Sequence, residues 1–502
     1  MSRPTLAVLA RVAAVLLCVA GPSALVLVLV SAFFGVPLSR YRPLINDEVA
    51  YWHQALTFSQ VGFTGGYYTL DEVTNPSGFT PFGPHGPGFA VLYGTLGSIF
   101  GWYRHSVVVL NLVALSLAGW AWASLSRLST ARLLLTGILL TTFWHTLLWA
   151  PTGMQEGLHH AGAIAMAALF VSSFVAPARL SITIAGWVVL TVLAFIRPTW
   201  IILMPLWAVA TLRTRSRAVL TAGIAASILI AAATVVAYGK TTAPYGEGFF
   251  FLRAFDLSIG LKSIFDNAAS NLERLRMLDQ FDTIELIQRA QYWSLLGGTL
   301  LATFVAARKT PDWRQGSVLH SLTAAAAMAV AFGGMVMLYQ FTNFAEHRML
   351  SIFLLFGALL CAAAPGRLGL VLAGALVVSN ILCAPTALQN IEAARRDQFE
   401  WNGRELFELH AAVDGKLVHQ PAASRWCNTL TTAQYPPHLI AIPAGIGLSV
   451  SRYTDHLPQP PRARYLMLDA SGLANLRTPH HLDRIATLPY GTLYVNRDVN
   501  CH

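Results

Sequence analysis

Long apolar runs alternate with short polar connections along this chain, and the run lengths are the first guide to its fold. Apolar segments lie near residues 12–34, 105–125, 133–150, 158–176, 180–196, 198–212, 218–238, 292–307, 318–339, 349–364 and 368–384. Most approach the ~20 residues that carry an α-helix across a bilayer. The pattern predicts a polytopic α-helical membrane protein with about eleven transmembrane helices. Two stretches need separate treatment. The run "GPGFAVLYGTLGSIFGW", residues 86–102, is short and Gly-rich and is expected as a helix lying in the outer interface. The region 180–212 is too long for one crossing. Arg197-Pro198 in its middle predicts a tight outer turn, because a lone arginine at mid-bilayer is costly.

The polar connections orient the bundle. With the N-terminus cytoplasmic, the inner side receives Arg3, Arg11, Arg127, Arg132, Arg179, Arg213, Arg215, Arg217, Arg308, Lys309, Arg314 and Arg367. Those twelve basic residues face one acid, Asp312. Such a bias over short loops is what the positive-inside rule requires, and a shift by one span would reverse it. Three large outer segments remain: residues 37–104, residues 239–291 and the tail. The chain is therefore expected as a membrane unit, 1–386, followed by a small extracytoplasmic α/β domain, 387–502. In the tail, "RELFELHAAV" reads as helix and "GKLVHQ", "HLIAIP" and "RYLMLD" as short strands. "ATLPYGTLYVN" reads as a hairpin around Pro489-Tyr490-Gly491. In the middle segment, "DNAASNLERLRMLDQFDTIELIQRA" carries charges of both signs on a helical period, the pattern of a surface helix.

Composition agrees. Of 502 residues 55% are hydrophobic and 12% charged, with mean hydropathy +0.53, against about 25% charged in a soluble globular protein. The net charge of +10 does not point to nucleic acid, because the basic residues fall in clusters between apolar runs. The first run exceeds the apolar core of a cleaved signal peptide and is read as an uncleaved span. Cys18, Cys361 and Cys383 lie in apolar runs. Cys427 and Cys501 lie in the tail, where an oxidising compartment makes them disulfide candidates.

With this topology, ionisable residues from distant parts of the chain reach one depth on the outer side. "INDEVAYW" puts Asp47 and Glu48 at the start of the first outer segment, with Tyr51 behind them, and "FGPHGPG" supplies His85. "APTGMQEGLHH" places Glu156, His159 and His160 at an outer helix end, Arg197 marks the outer turn, and "NFAEHRML" supplies Glu346, His347 and Arg348. Singly, each has a plain structural reading. Asp47 suits a helix N-cap, Arg348 suits a side chain snorkelling to headgroups, Arg197 suits a cap on helix carbonyls, and Glu156 and the histidines suit interfacial polarity. A metal held by Glu156, His159 and His160 is a further alternative, against which adjacent histidines point in different directions from a helix.

The order Asp47-Glu48-x-x-Tyr51, then "HGPG", then the interfacial "LYGTLGSIFG", with a second acid and an outer "EHRM", resembles the GT-C superfamily of polytopic glycosyltransferases. Lipid A aminoarabinose transferases and protein O-mannosyltransferases are examples. The resemblance spans roughly residues 5–385. It implies a GT-C-like fold, a polyprenyl-phosphate-linked sugar donor, and an acceptor that is a glycan, glycolipid or protein. It also implies Asp47 and Glu156 as catalytic residues, with Glu48, Tyr51, His85, Arg197, His347 and Arg348 binding substrate. Two departures are visible: His85-Gly86-Pro87 stands where several relatives have Lys or His before two prolines, and Glu156 stands where Asp is frequent. No cofactor is required by these residues, and a divalent metal is left open.

The chemistry suits these residue types. Sugar transfer from a lipid phosphate passes through an oxocarbenium-like state. A carboxylate takes the acceptor's proton, and cationic donors meet the charge growing on the departing phosphate. Glu48, one residue from Asp47 on a helix, points about 100° away and is not expected to share its role. The short inner loops point to a bacterial inner membrane, with the tail periplasmic or otherwise extracytoplasmic. A transporter or flippase of a lipid-linked saccharide would need similar outer groups but would place ionisable residues near the midplane. A non-catalytic assembly protein would leave the outer acids and bases unexplained.

Overall fold

The computed structural model describes residues 3–35, 37–38, 41–43, 46–72, 82–83, 85–175, 179–242, 257–276, 283–309, 316–338, 348–421, 423–432, 437–451, 460–476 and 481–501. All eleven apolar segments are helical. In chain order the helices are α1 (Arg3–Phe34), α2 (Asn46–Val61), α3 (Gly88–Phe100), α4 (Ser106–Leu125), α5 (Thr130–Thr142), α6 (Trp144–Trp149), α7 (Glu156–Val175) and α8 (Leu180–Ile196). They continue with α9 (Leu203–Leu212), α10 (Arg217–Thr241), α11 (Leu257–Arg276), α12 (Thr283–Lys309), α13 (Gly316–Leu338), α14 (Arg348–Ala363), α15 (Arg367–Val413) and α16 (Ala470–Ala474). Six of them are long and apolar enough to cross a membrane by length and composition, and the shorter apolar helices include α3, α5, α8 and α14.

Packing separates core helices from rim helices. α7 is mostly buried within the bundle, whereas α1 and α10 turn most of their surface outward. Their outward faces carry Leu6, Leu16, Leu229 and Val236, and other outward faces carry Leu117, Leu180 and Leu382, all exposed. A bundle in water would bury such residues; facing lipid, they need no cover.

The two ends of the bundle differ in chemistry. At one end arginines cap helix carbonyls. Arg132 donates to the carbonyls of Ala362, Ala364 and Gly366 at the end of α14, and Arg213 donates to those of Ser173 and Phe174 at the end of α7. Arg11 donates to Leu128 O. These are the arginines that the sequence assigned to the inner side. The other ends of α7 and α14 begin at Glu156 and Arg348. Sixteen residues of α14 put about 24 Å between its ends.

Three sequence expectations are corrected. The segment 133–150 is not one helix: it breaks at Phe143, whose ψ of 94° is extended, into α5 and α6. In the tail, "GKLVHQ" forms turns and irregular backbone, and "HLIAIP" forms a 3₁₀ turn over Pro437–Ala441. Apolar content alone did not distinguish these short pieces from strands. The strands are β1 (Thr69–Leu70), β2 (Thr429–Thr432), β3 (Gly447–Val450), β4 (Tyr465–Leu468), β5 (Leu482–Leu488) and β6 (Gly491–Asn496). They form one sheet ordered β1-β3-β2-β4-β6-β5, parallel from β1 to β4, with β5 and β6 closing it as the expected antiparallel hairpin. "RELFELHAAV" is helical, as the last part of the 47-residue α15. The charged segment 266–290 contributes to α11 and α12, with residues 277–282 outside the described set.

The edge strand β1 comes from the first outer segment, not from the tail. Behind it, one apolar core joins Val49, Tyr51, Trp52 and Ala55 of α2 to Leu409, Leu430, Ile442, Leu448 and Met467 of the tail. Polar bonds reinforce the seam. His53 Nε2 lies 3.1 Å from Ile442 O, and Gly445 N donates to Thr57 Oγ1 at 3.2 Å. Glu72 ends the strap. Its buried carboxylate accepts from Thr431 Oγ1 (2.6 Å), Arg462 N (2.6 Å) and Ala463 N (3.2 Å), while its own N–H donates to Ser449 Oγ. A disulfide joins Cys427 and Cys501, with Cα atoms 5.7 Å apart, and closes the end of the chain onto the start of β2.

Candidate active site

α2 starts at Asn46, so Asp47 and Glu48 stand in its first turn, where carboxylates favour the positive end of the helix dipole. Their directions diverge as the 100° step requires. Asp47 Oδ2 meets Arg348 Nη2 at 3.3 Å. Glu48 is fully buried and packs beside Gly153, whose absent side chain makes room for it.

Arg348, the first residue of α14, bridges two acids: its Nε lies 3.4 Å from Glu156 Oε1. The same oxygen accepts from Arg197 Nη2 at 2.7 Å. Arg197 stands at the junction between α8 and the 3₁₀ turn Pro198–Ile202, the turn that Arg197-Pro198 predicted. Four side chains from four separated segments thus form one connected line, Asp47–Arg348–Glu156–Arg197. Exposure differs along it: Asp47 is 30% exposed, Arg348 22%, Glu156 0% and Arg197, at the far end, 11%. The outer carboxylate can be reached, and the inner one is enclosed.

Tyr51 and His85 adjoin this line. Their rings meet edge to face at 5.0 Å, and Tyr51 also packs on Phe89. Burial pushes the Tyr51 hydroxyl up, with the Asp47 charge adding to it. Burial likewise holds His85 below its ordinary value. Arg348 and Arg197 add to that effect while Asp47 and Glu156 oppose it. Glycine explains the turn that brings His85 here. Gly86 has φ +80°, and any side chain on it would overlap the Tyr238 ring. A Cβ on Gly88 would lie 2.6 Å from the Phe195 carbonyl, so only glycine lets α3 start against the end of α8, two residues before Arg197.

Sequence reasoning passed over the supporting layer. The Arg348 guanidinium lies over the Trp149 ring at 5.8 Å. His160 Nδ1 lies 3.1 Å from Thr146 Oγ1 and its Nε2 lies 2.9 Å from Ser351 Oγ; Ser351 in turn donates to Arg348 O. His159 Nδ1 accepts from Trp200 Nε1 at 3.0 Å. The two histidines therefore serve different neighbours. No group of three or more His, Cys, Asp or Glu side chains among the described residues could hold a metal ion. Ser351 stands one turn after Arg348, a spacing visible in the sequence; the Trp149 contact had no such signal. Glu346 and His347 lie outside the described residues.

No family model matches the chain, and no curated protein matches it by sequence. Solved structures do. The apo oligosaccharyltransferase of Archaeoglobus fulgidus superposes with a TM-score of 0.50 at 11% identity, over 98% of this chain and 75% of that one. The same enzyme in complex with Zn and sulfate gives 0.48 at 12% identity, over 98% and 74%. ArnT from Cupriavidus metallidurans bound to undecaprenyl phosphate gives 0.47 at 12% identity, over the full length of both chains. At such identities the likeness concerns the fold. The chain shares the fold of the apo archaeal oligosaccharyltransferase: a bundle of helices, six of them long and apolar enough to cross a membrane, with a small C-terminal sheet.

Proposed function

We propose that this chain is an integral membrane glycosyltransferase. In this reading it moves a single sugar from a polyprenyl-phosphate carrier to a hydroxyl of a glycan, glycolipid or protein on the extracytoplasmic face of a bacterial inner membrane. The observation that carries the proposal is the line Asp47–Arg348–Glu156–Arg197, assembled from four distant segments at one end of the bundle. Burying a carboxylate and two guanidinium groups is costly and stabilises a fold poorly compared with apolar packing. Retaining them where α2, α7, α8 and α14 converge fits a chemical use.

Asp47 is the general base. The acceptor oxygen attacks the anomeric carbon and its proton passes to the Asp47 carboxylate; the bond from that carbon to the phosphate oxygen breaks, and its electron pair leaves with the lipid phosphate. Arg348 stabilises the charge gained by that phosphate. His85, held neutral by its surroundings, serves as a hydrogen-bond donor and not as a cation. Tyr51 sets the His85 ring, and Glu156 holds both arginines in place.

Several features support the sidedness. The carbonyl-capping arginines occupy the opposite end of the bundle, as an inner face requires, and the Cys427–Cys501 bond suits an oxidising compartment. In this reading residues 1–386 are the membrane unit and 387–502 the extracytoplasmic unit, which closes over the first outer segment. A lipid carrier with its sugar-phosphate head at the surface suits a site at the end of the bundle.

The test uses the full chain in nanodiscs, a panel of polyprenyl-phosphate sugars and crude envelope extract as acceptor. Release of polyprenyl phosphate by wild type, lost in Asp47→Asn while the donor still binds, is the expected result. Binding without release across the panel and several extracts would indicate a carrier of lipid-linked saccharide.

A further inference from the structure

We propose that Glu156, His159 and Arg197 form a subsite for adjacent hydroxyls of a neutral sugar ring, and that they do not contact the phosphate of the donor; this rests on the glycosyltransferase reading above. Glu156 and His159 are three residues apart on α7 and share one face. Both are completely buried, and Arg197 Nη2 holds Glu156 Oε1 at 2.7 Å. Each of the three keeps one buried polar atom without a hydrogen-bond partner among the described residues: Glu156 Oε2, His159 Nε2 and Arg197 Nη1. Buried polar atoms are ordinarily paired, so three such atoms on neighbouring side chains mark a place where a polar ligand or water completes the site.

The roles of the three atoms define the ligand. Trp200 Nε1 can only donate, so His159 Nδ1, which faces it at 3.0 Å, carries no proton. The ring proton is therefore on Nε2. The subsite then offers two donors, His159 Nε2–H and Arg197 Nη1–H, and one acceptor, Glu156 Oε2. A hydroxyl donates once and accepts twice, so one or two adjacent sugar hydroxyls satisfy all three atoms. A phosphate or a sugar carboxylate group placed there offers acceptors only and would meet the Glu156 carboxylate with like charge. A sugar ammonium offers donors only and would leave both N–H groups unpaired. The donor phosphate is left to Arg348 and His85, and the transferred sugar is a neutral one with free ring hydroxyls.

Binding to the full chain in nanodiscs tests this, with undecaprenyl phosphate and its neutral hexosyl esters as probes. Wild type should prefer one of the hexosyl lipids to the bare lipid. His159→Phe should weaken that hexosyl lipid about tenfold, the scale of one lost buried hydrogen bond, while the bare lipid changes less than about twofold. His159→Gln, which keeps a donor near the Nε2 position, should restore most of the difference. Equal weakening of both lipids by His159→Phe, or no change in either, would overturn the proposal. A second measurement needs no variant. Monodeoxy analogues of the preferred hexosyl lipid should include at least one that binds wild type about tenfold more weakly, and uniform binding of all of them would overturn the subsite. Failure of wild type to bind any of these lipids would instead remove the glycosyltransferase reading and the subsite with it.

Discussion

Two of the buried glutamates, Glu72 and Glu156, give opposite accounts of their oxygens. Glu72, in the strap that joins the first outer segment to the tail, has both oxygens satisfied by neutral donors, one hydroxyl and two backbone N–H groups. Glu156, at the start of α7, faces two arginines through one oxygen, and its other oxygen has no hydrogen-bond partner among the described residues. A saturated acid fastens two pieces of chain. In the proposed reading, the acid with charged neighbours and an unpaired oxygen meets a ligand. Burial alone does not separate a structural carboxylate from a functional one; the count of satisfied lone pairs does.

Substitutions can break or sharpen that contrast. The largest expected effect lies on the functional side: Asp47→Asn should reduce polyprenyl phosphate release by roughly 10²- to 10⁴-fold with donor binding retained, and Glu156→Gln, which loosens the hold on both arginines, by about tenfold or more. Near-wild-type turnover in Glu156→Gln would make it a structural acid like Glu72. Next, Arg197→Leu leaves the enclosed Glu156 with only the longer contact to Arg348. It should cost on the order of 3 kcal/mol in unfolding stability, and adding Glu156→Gln should recover part of the loss. Full additivity in that double-mutant cycle would mean that the pair is not coupled.

Acid should act on the seam. Burial lowers His53 to about 4 and His438, whose Nδ1 faces Glu405 at 3.4 Å, to about 4. Both are neutral in the folded chain, whereas the unfolded chain takes up their protons near pH 6.5. Stability present above that pH is therefore lost as pH falls toward 4, by on the order of 2 kcal/mol for each histidine. Thermal unfolding followed from pH 7 to 4 should show the decline, and the double variant His53→Gln/His438→Phe should flatten it. The smallest effect is expected for Glu72→Gln. It replaces an acceptor by an amide donor facing backbone N–H groups and should cost about 1–3 kcal/mol. Faster hydrogen exchange at Thr69–Leu70 should accompany it, with turnover far less affected than in Glu156→Gln. A collapse of turnover there without loss of stability would erase the distinction between the two acids.

Much of the site was legible in residue order. Asp47 beside Glu48 after an apolar run, Arg197 before Pro198 between two others, and Arg348 at the head of another are local signals, and membrane topology turns them into a common depth. The supporting layer was less legible because its contacts are not periodic. His160 reaching Ser351, and Trp149 lying beneath Arg348, join residues about two hundred positions apart. The strap was hidden for a similar reason: a two-residue strand carries no repeat to detect, and β1 pairs with a partner 380 residues away. The tail's "HLIAIP" shows the limit from the other side: its apolar side chains are buried, but on a 3₁₀ turn and not on the expected strand.

The sequence by itself determined the helical membrane architecture and which end of the bundle carries the arginine caps, because run length and charge bias are properties of the chain against a bilayer. The tertiary structure alone decided that Glu156 is shared by two arginines, that Glu48 turns away into the core, that one histidine serves Trp200 and the other Ser351, and that the first outer segment becomes an edge strand of the tail. These outcomes depend on which side chains meet across long separations. That is set by packing in three dimensions, and no local pattern encodes it.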